Sequence, residues 1–167
     1  LMTHDSDAFS RWDAGQRRAT RVLLALSADA RAGRPLHCPE HLVRAFRRVL
    51  EGSAADPAFA AEALTLPGES YLTDEMAVAD PEAAHGAREF LRGALATGLA
   101  EPLAVTYHAH RGGGPYRVES REMGRRALRN LCLAYLAEVP GPARAALAVE
   151  QLRQADNMTD TVGALGV

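Results

Sequence analysis

The chain has 167 residues, of which 47% are apolar but only 5% aromatic; its 19 basic residues are all arginine and face 21 acidic ones, a formal charge of −2. That balance, with a pI near 6.3, speaks against nucleic acid as a partner, because phosphate binding needs a clustered positive excess. No run reaches the roughly 18 apolar residues of a membrane span, and a domain of this size buries roughly 70% of its unfolded surface without staples.

Taken in order, the chain predicts a single all-α domain over 1–167. Ser6 or Asp7 caps a first helix that runs to about Ala32, where Gly33-Arg34-Pro35 stops it. Its apolar stripe is Phe9, Trp12, Ala19, Leu23, Leu26 and Ala30. Such a helix is roughly 35 to 40 Å long, long for a globular domain. After Cys38-Pro39, with proline as first helical residue, a second helix carries Leu42, Val43, Phe46, Val49 and Leu50 and ends at Gly52-Ser53. Asp56-Pro57 opens a short third helix that Leu66-Pro67-Gly68 breaks. A fourth is expected from Ser70 to Ala79, and Asp80-Pro81 repeats the start signal for a fifth that reaches Thr97-Gly98.

Glu101-Pro102 starts a sixth helix, which runs into the loop Arg111-Gly112-Gly113-Gly114-Pro115. Ser120 and Glu122 then open the seventh, Ser120 to Val139. One of its stripes is Gly124, Leu128, Leu131, Cys132, Tyr135 and Val139, the spacing of a buried helix face. Leu133 and Ala137 lie on the other side beside Arg126 and Asn130, so this helix is expected to have packed neighbours on both sides. After Pro140-Gly141-Pro142 an eighth helix shows Ala145, Leu147, Ala148 and Leu152, and a ninth starts at Asn157. Abundant alanine favours thin contacts between closely approaching helices. No useful segment alternates with period two, so the expected architecture is stacked antiparallel helix pairs forming a partial superhelix, as in HEAT or armadillo α-solenoids.

The candidates for chemistry are weak. His37-Cys38-Pro39-Glu40-His41 superficially resembles a metal-ligand cluster, but Pro39 breaks the helical register, and a helix start explains the residues better. His108 and His110 sit two apart, about 160 degrees around a helix, so they cannot chelate one ion. Gly112-Gly113-Gly114 lacks the lysine and spacing of a phosphate cradle. Asn157-Met158-Thr159 matches a glycosylation sequon but reads better as a helix cap, with Asp160 near the positive helix end. Arg125, Arg126, Arg129 and Arg144 form a basic strip that a solvated or salt-bridged face explains. There is no H-E-x-x-H; His85-Gly86-Ala87-Arg88-Glu89 has neither the second histidine nor the adjacent glutamate. Cys38 and Cys132 read as free thiols of a reducing compartment. Leu1-Met2-Thr3-His4-Asp5 lacks a signal-peptide pattern, so a cytoplasmic location is expected.

Four ordered blocks carry a family resemblance. Asp7-Ala8-Phe9-Ser10-Arg11-Trp12-Asp13-Ala14-Gly15-Gln16 resembles the segment D-x-F-x-R-W-E/D-A-x-Q that begins the C-terminal helical domain in the bacterial alanyl aminopeptidase (aminopeptidase N) family of zinc gluzincins. The run from Asp56 to Pro67 resembles that family's D-P-A-x-x-A-E-x-L-T-L-P. Arg125 to Leu133 resembles its R-x-L-R-N-x-C/A-L, and Ala155 to Asp160 its A-D/N-N-M-T-D.

The resemblance implies a non-catalytic piece of a larger enzyme, whose zinc ion, held by H-E-x-x-H and a distant glutamate, lies in a preceding catalytic domain together with the motif glutamate and a tyrosine. None of those residues falls within this chain, so no catalytic, cofactor or metal residue is expected here. The implied partners are the catalytic and β-sandwich domains of the same polypeptide, and peptide substrates reached through them. Phe9, Arg11, Trp12, Arg126, Arg129 and Asn130 are the resulting domain-interface or chamber-wall candidates. A solenoid cut without its cap would expose an apolar face, so self-association is expected. The alternative is a free-standing α-solenoid interaction module.

Overall fold

Four helices begin where a side chain takes the backbone N–H three residues on, in a computed structural model that describes residues 7–112, 116–141 and 143–167. Asp7 accepts from Ser10 N at 2.7 Å to start α1 (Ala8–Arg31), and this bond holds the Asp7 carboxyl below its ordinary range. Asp56 accepts from Phe59 N to start α3 (Pro57–Leu64), and Asp80 accepts from Ala83 N to start α5 (Pro81–Gly98). Asn157 accepts from Asp160 N to start α9 (Met158–Leu165). Caps are local chemistry, so these starts fall where the sequence places them. The expected Ser6 cap, Gly113-Gly114-Pro115, Pro142 and the side chains of Arg144 and Ala145 lie outside the described residues.

The other boundaries shift. α2 (Glu40–Glu51) keeps Pro39 outside the helix as its extended cap residue, because the Pro39 carbonyl takes the N–H groups of Leu42 and Val43. α4 (Glu69–Asp74) is six residues long rather than reaching Ala79; its end closes through Glu75 N to Tyr71 O and Met76 N to Thr73 O. α6 (Ala100–Ala109) starts at Ala100, with Leu99 serving as both the end of α5 and the cap of α6. α7 (Ser120–Leu136) has Glu119 in the cap position and ends three residues early, in turn bonds from Ala137, Glu138 and Val139. α8 covers Ala143–Gln154.

α7 lies between α3 on one flank and α6 and α9 on the other, with α5 and α8 also touching it. Its expected second face is therefore real: Arg126, Leu133 and Ala137 are buried as well as Leu128, Cys132 and Tyr135. Neighbours in sequence pair as α4 with α5, α6 with α7 and α8 with α9, whereas α1 packs chiefly on α5 and α3. The described residues are all helix and connection, with a core of leucine and alanine such as Leu23, Leu72, Leu91, Leu128, Ala84 and Ala87.

Two stripe assignments are corrected. Phe9 is 68% exposed and belongs to no core; its ring stands at the open end of the α3–α7 pair with Trp12 5.8 Å away. On α8 Leu152 is exposed and Gln151, one position earlier, is fully buried, because α7 and α9 offer it polar partners.

Candidate functional site

Arg126, Arg129 and Asn130 fall at i, i+3 and i+4 on α7 and so share a face. Opposite them α6 brings Tyr107 and α9 brings Asp160. The Arg129 guanidinium lies over the Tyr107 ring at 4.8 Å, donates to its hydroxyl at 3.2 Å and approaches Asp160 Oδ2 to 3.7 Å. Both members of this ion pair are more than nine-tenths buried. Asn130 donates to Thr159 O at 3.1 Å and accepts from Gln151 Nε2 at 2.7 Å, and Gln151 donates in turn to Asp160 O at 3.0 Å.

Arg126 stacks at 4.7 Å on Tyr116 and donates to Arg117 O, while its neighbour Arg125 donates to His110 O and pairs with Glu122 at 2.9 Å. The Arg125 hydrogen bond draws the Glu122 carboxyl below its ordinary range, and burial pushes the Tyr107 phenol up despite Arg129. Arg129 Nε, Gln151 Oε1 and Asp160 Oδ1 are buried without a partner among the described residues. A buried pair left this incomplete adds little net stability, yet breaking it is costly, so it acts as a register pin between α6, α7 and α9.

A second junction sits at the start of α1. Arg11 lies 4.1 Å over the Phe59 ring, and Gln16 Nε2 donates to Thr65 O at 2.9 Å. Phe9, Trp12, Ala58, Phe59, Met123 and Ala127 line an open, mainly apolar groove of about 570 Å³. Its floor depends on Gly124, where an added Cβ would come within 2.8 Å of both the Cβ and the backbone N of Ala58. Further along the same α3–α7 contact the Tyr135 hydroxyl donates to Leu64 O at 2.8 Å, and burial drives that phenol far above its ordinary value.

The six sequence-level candidates thus separate into two places: Phe9 and Trp12 line the apolar groove with Arg11 stacked on Phe59 beside it, and Arg126, Arg129 and Asn130 sit in the polar junction on α7. Tyr107, Gln151 and Tyr116 went unrecognised as members of the second. Only Asp160 carried a signal, as a carboxylate next to a capped helix start. The thiols are unsuited to nucleophilic work: burial pushes Cys132 up to about 12 and also raises Cys38. Among the described residues no three His, Cys, Asp or Glu side chains are placed to hold a metal ion. The four resemblance blocks meet in pairs, the first with the second at the α1–α3 junction and the third with the fourth at the α7–α9 junction.

Comparison with known proteins follows the same lines. A family model described as a domain of unknown function, DUF3458_C, of ARM repeats matches residues 1–167. Aminopeptidase N of Escherichia coli (strain K12) is 40% identical over 165 residues, which is 99% of this chain and 19% of that protein. Aminopeptidases N of Caulobacter vibrioides and Haemophilus influenzae are 36% and 30% identical, and 19% of each is covered. The chain therefore spans about one fifth of the length of these relatives. The crystal structure of Legionella pneumophila aminopeptidase A in complex with aspartic acid superposes with a TM-score of 0.79 over 98% of this chain and 20% of its own, at 21% identity, a likeness of fold. With blocks, architecture and whole-length match in agreement, the chain belongs to the DUF3458_C family of ARM-repeat domains, of the kind found within bacterial aminopeptidase N.

Proposed function

We propose that this chain is a non-catalytic domain from the C-terminal part of a zinc-dependent aminopeptidase N, where it walls the chamber in which amino acids are removed one at a time from peptide N-termini and limits which peptides enter. The observation that carries this reading is similarity over the whole chain, at 30% to 40% identity, to a fifth of three aminopeptidases N. In this reading zinc belongs to the parent's catalytic domain, where the family resemblance places the H-E-x-x-H motif. The chain's own contribution is shape. The buried Arg126 and Arg129, with the half-buried Asn130, hold the wall helices in register, and the groove lined by Phe9 and Trp12, with Arg11 stacked on Phe59 beside it, is a surface for the neighbouring catalytic or β-sandwich domain. Two free cysteines suit a cytoplasmic protein, and no described helix is long and apolar enough to cross a membrane.

The test is activity with and without the parent. The purified 167-residue chain supplied with zinc should release nothing from an alanyl p-nitroanilide, whereas the polypeptide containing an in-frame upstream H-E-x-x-H should hydrolyse it. Turnover by the chain alone overturns the reading. A free-standing α-solenoid interaction module, favoured by the open grooves, predicts that no such motif precedes it in frame.

A further inference from the structure

A groove of about 740 Å³ runs between α1 and the segment leading into α2. Val22, Ala25, Leu26 and Pro39 give it an aliphatic lining, Arg17, Arg18 and Arg21 flank it on α1, and His37 and His41 flank it from the second segment. The charges are not balanced locally. Arg17 is engaged with Asp13 at 2.9 Å, and Asp29, the carboxylate in the lining, is held by Arg34 at 2.6 Å. Arg18 and Arg21 have no ion-pair or hydrogen-bond partner among the described residues, although Arg31, Arg44 and Arg92 all find carboxylates.

Two unpaired guanidiniums three residues apart on one helix face, above an apolar floor, make a composite surface. Each guanidinium presents a planar fork that matches a carboxylate, and the floor rewards an aliphatic side chain between them. We propose that this groove binds an extended acidic peptide segment, with carboxylates on Arg18 and Arg21 and an apolar side chain against Val22, Ala25 and Pro39. Nucleic acid fits less well, because no Trp, Tyr or Phe ring lines the groove to stack a base and the chain as a whole is acidic. The inference concerns this surface alone and stands whether or not the chain belongs to a peptidase.

Fluorescence anisotropy with a labelled hexapeptide of alternating Glu and Leu, at low salt, is the test. Saturable binding is expected, weakened at least about ten-fold by Arg18→Glu with Arg21→Glu and left unchanged by Arg153→Glu, which reverses an arginine on α8 that has no partner among the described residues. Far-UV circular dichroism of each variant establishes that the helices are intact. Any of four results would overturn the proposal: no saturation up to about 1 mM peptide, an equal loss with Arg153→Glu, equal affinity for the peptide with Lys in place of Glu, or tighter binding of an oligonucleotide of the same length. Self-association abolished by the double charge reversal, with no peptide binding, would instead assign the groove to a second copy of the chain and also overturn it.

Discussion

Arg129 and Asp160 are each buried with one polar atom unpartnered, so their worth lies in what happens when one is removed. Arg129→Met is expected to cost roughly 3 to 5 kcal/mol in urea denaturation, because it strands the Asp160 carboxylate, and adding Asp160→Asn should recover much of that loss. A single-variant cost under about 1 kcal/mol would show that the pair does not pin the helices. Cys132 gives a pH-dependent counterpart. Its thiol, ordinarily near 9.0, is pushed up to about 12 by burial, so the folded state favours the protonated form. The associated stability is fully present below pH 9 and is lost as pH rises toward 12. Denaturant melts across that window should therefore lose stability, with the buried Tyr135 phenol acting in the same sense, and Cys132→Ala should make the fall shallower. An unchanged slope would place the titration elsewhere. Cys132 burial was legible from its spacing to Leu128 and Tyr135, whereas nothing local marked Gln151, one of the most buried polar residues, as inward-facing.

At the scale of the helix, glycine has opposite meanings at different positions. On α7, Gly124 lets α3 approach, and a methyl there would meet Ala58 backbone as well as its side chain. Backbone yields poorly, so Gly124→Ala is expected to destabilise by about 1 to 3 kcal/mol even though alanine is the better helix former. On α5, Gly86 and Gly93 face no atom of the described residues within 4 Å, and alanine at either should stabilise by roughly 0.5 to 1 kcal/mol. Thermal melts of the three variants separate the two effects by sign. Helix starts at Asp56-Pro57 and Asp80-Pro81 could be read directly, since their capping bonds span three residues. The ends of α4 and α7 could not, because tightened turn bonds there depend on the direction the chain must take next.

For the whole molecule, the exposed apolar side chains are unevenly spread. Met158, Val162 and Leu165 on α9 and Val149 and Leu152 on α8 lie on the last helix pair, a type of surface that stacking helices cover in repeat proteins. Light scattering is expected to report a mass above 17.9 kDa for the isolated chain, falling to the monomer value with Val162→Glu and Leu165→Glu. A strictly monomeric unsubstituted chain would remove α9 as a contact surface. Packing also explains the resemblance blocks: each pair of blocks supplies the two sides of one interhelix junction, so their spacing along the chain reflects contacts that only the fold brings together.

The sequence by itself determined the all-helical class, most helix starts, the two-sided character of α7 and, through four ordered blocks, the family. Those features rest on bonds and periodicities a few residues long. Only the tertiary structure decided that Phe9 faces outward, that Gln151 faces inward and that Arg129 meets Asp160. It also set Arg18 and Arg21 across a groove from His37 and His41. Burial and charge pairing are set by which helix lies opposite, and that is fixed by contacts between residues far apart in the chain.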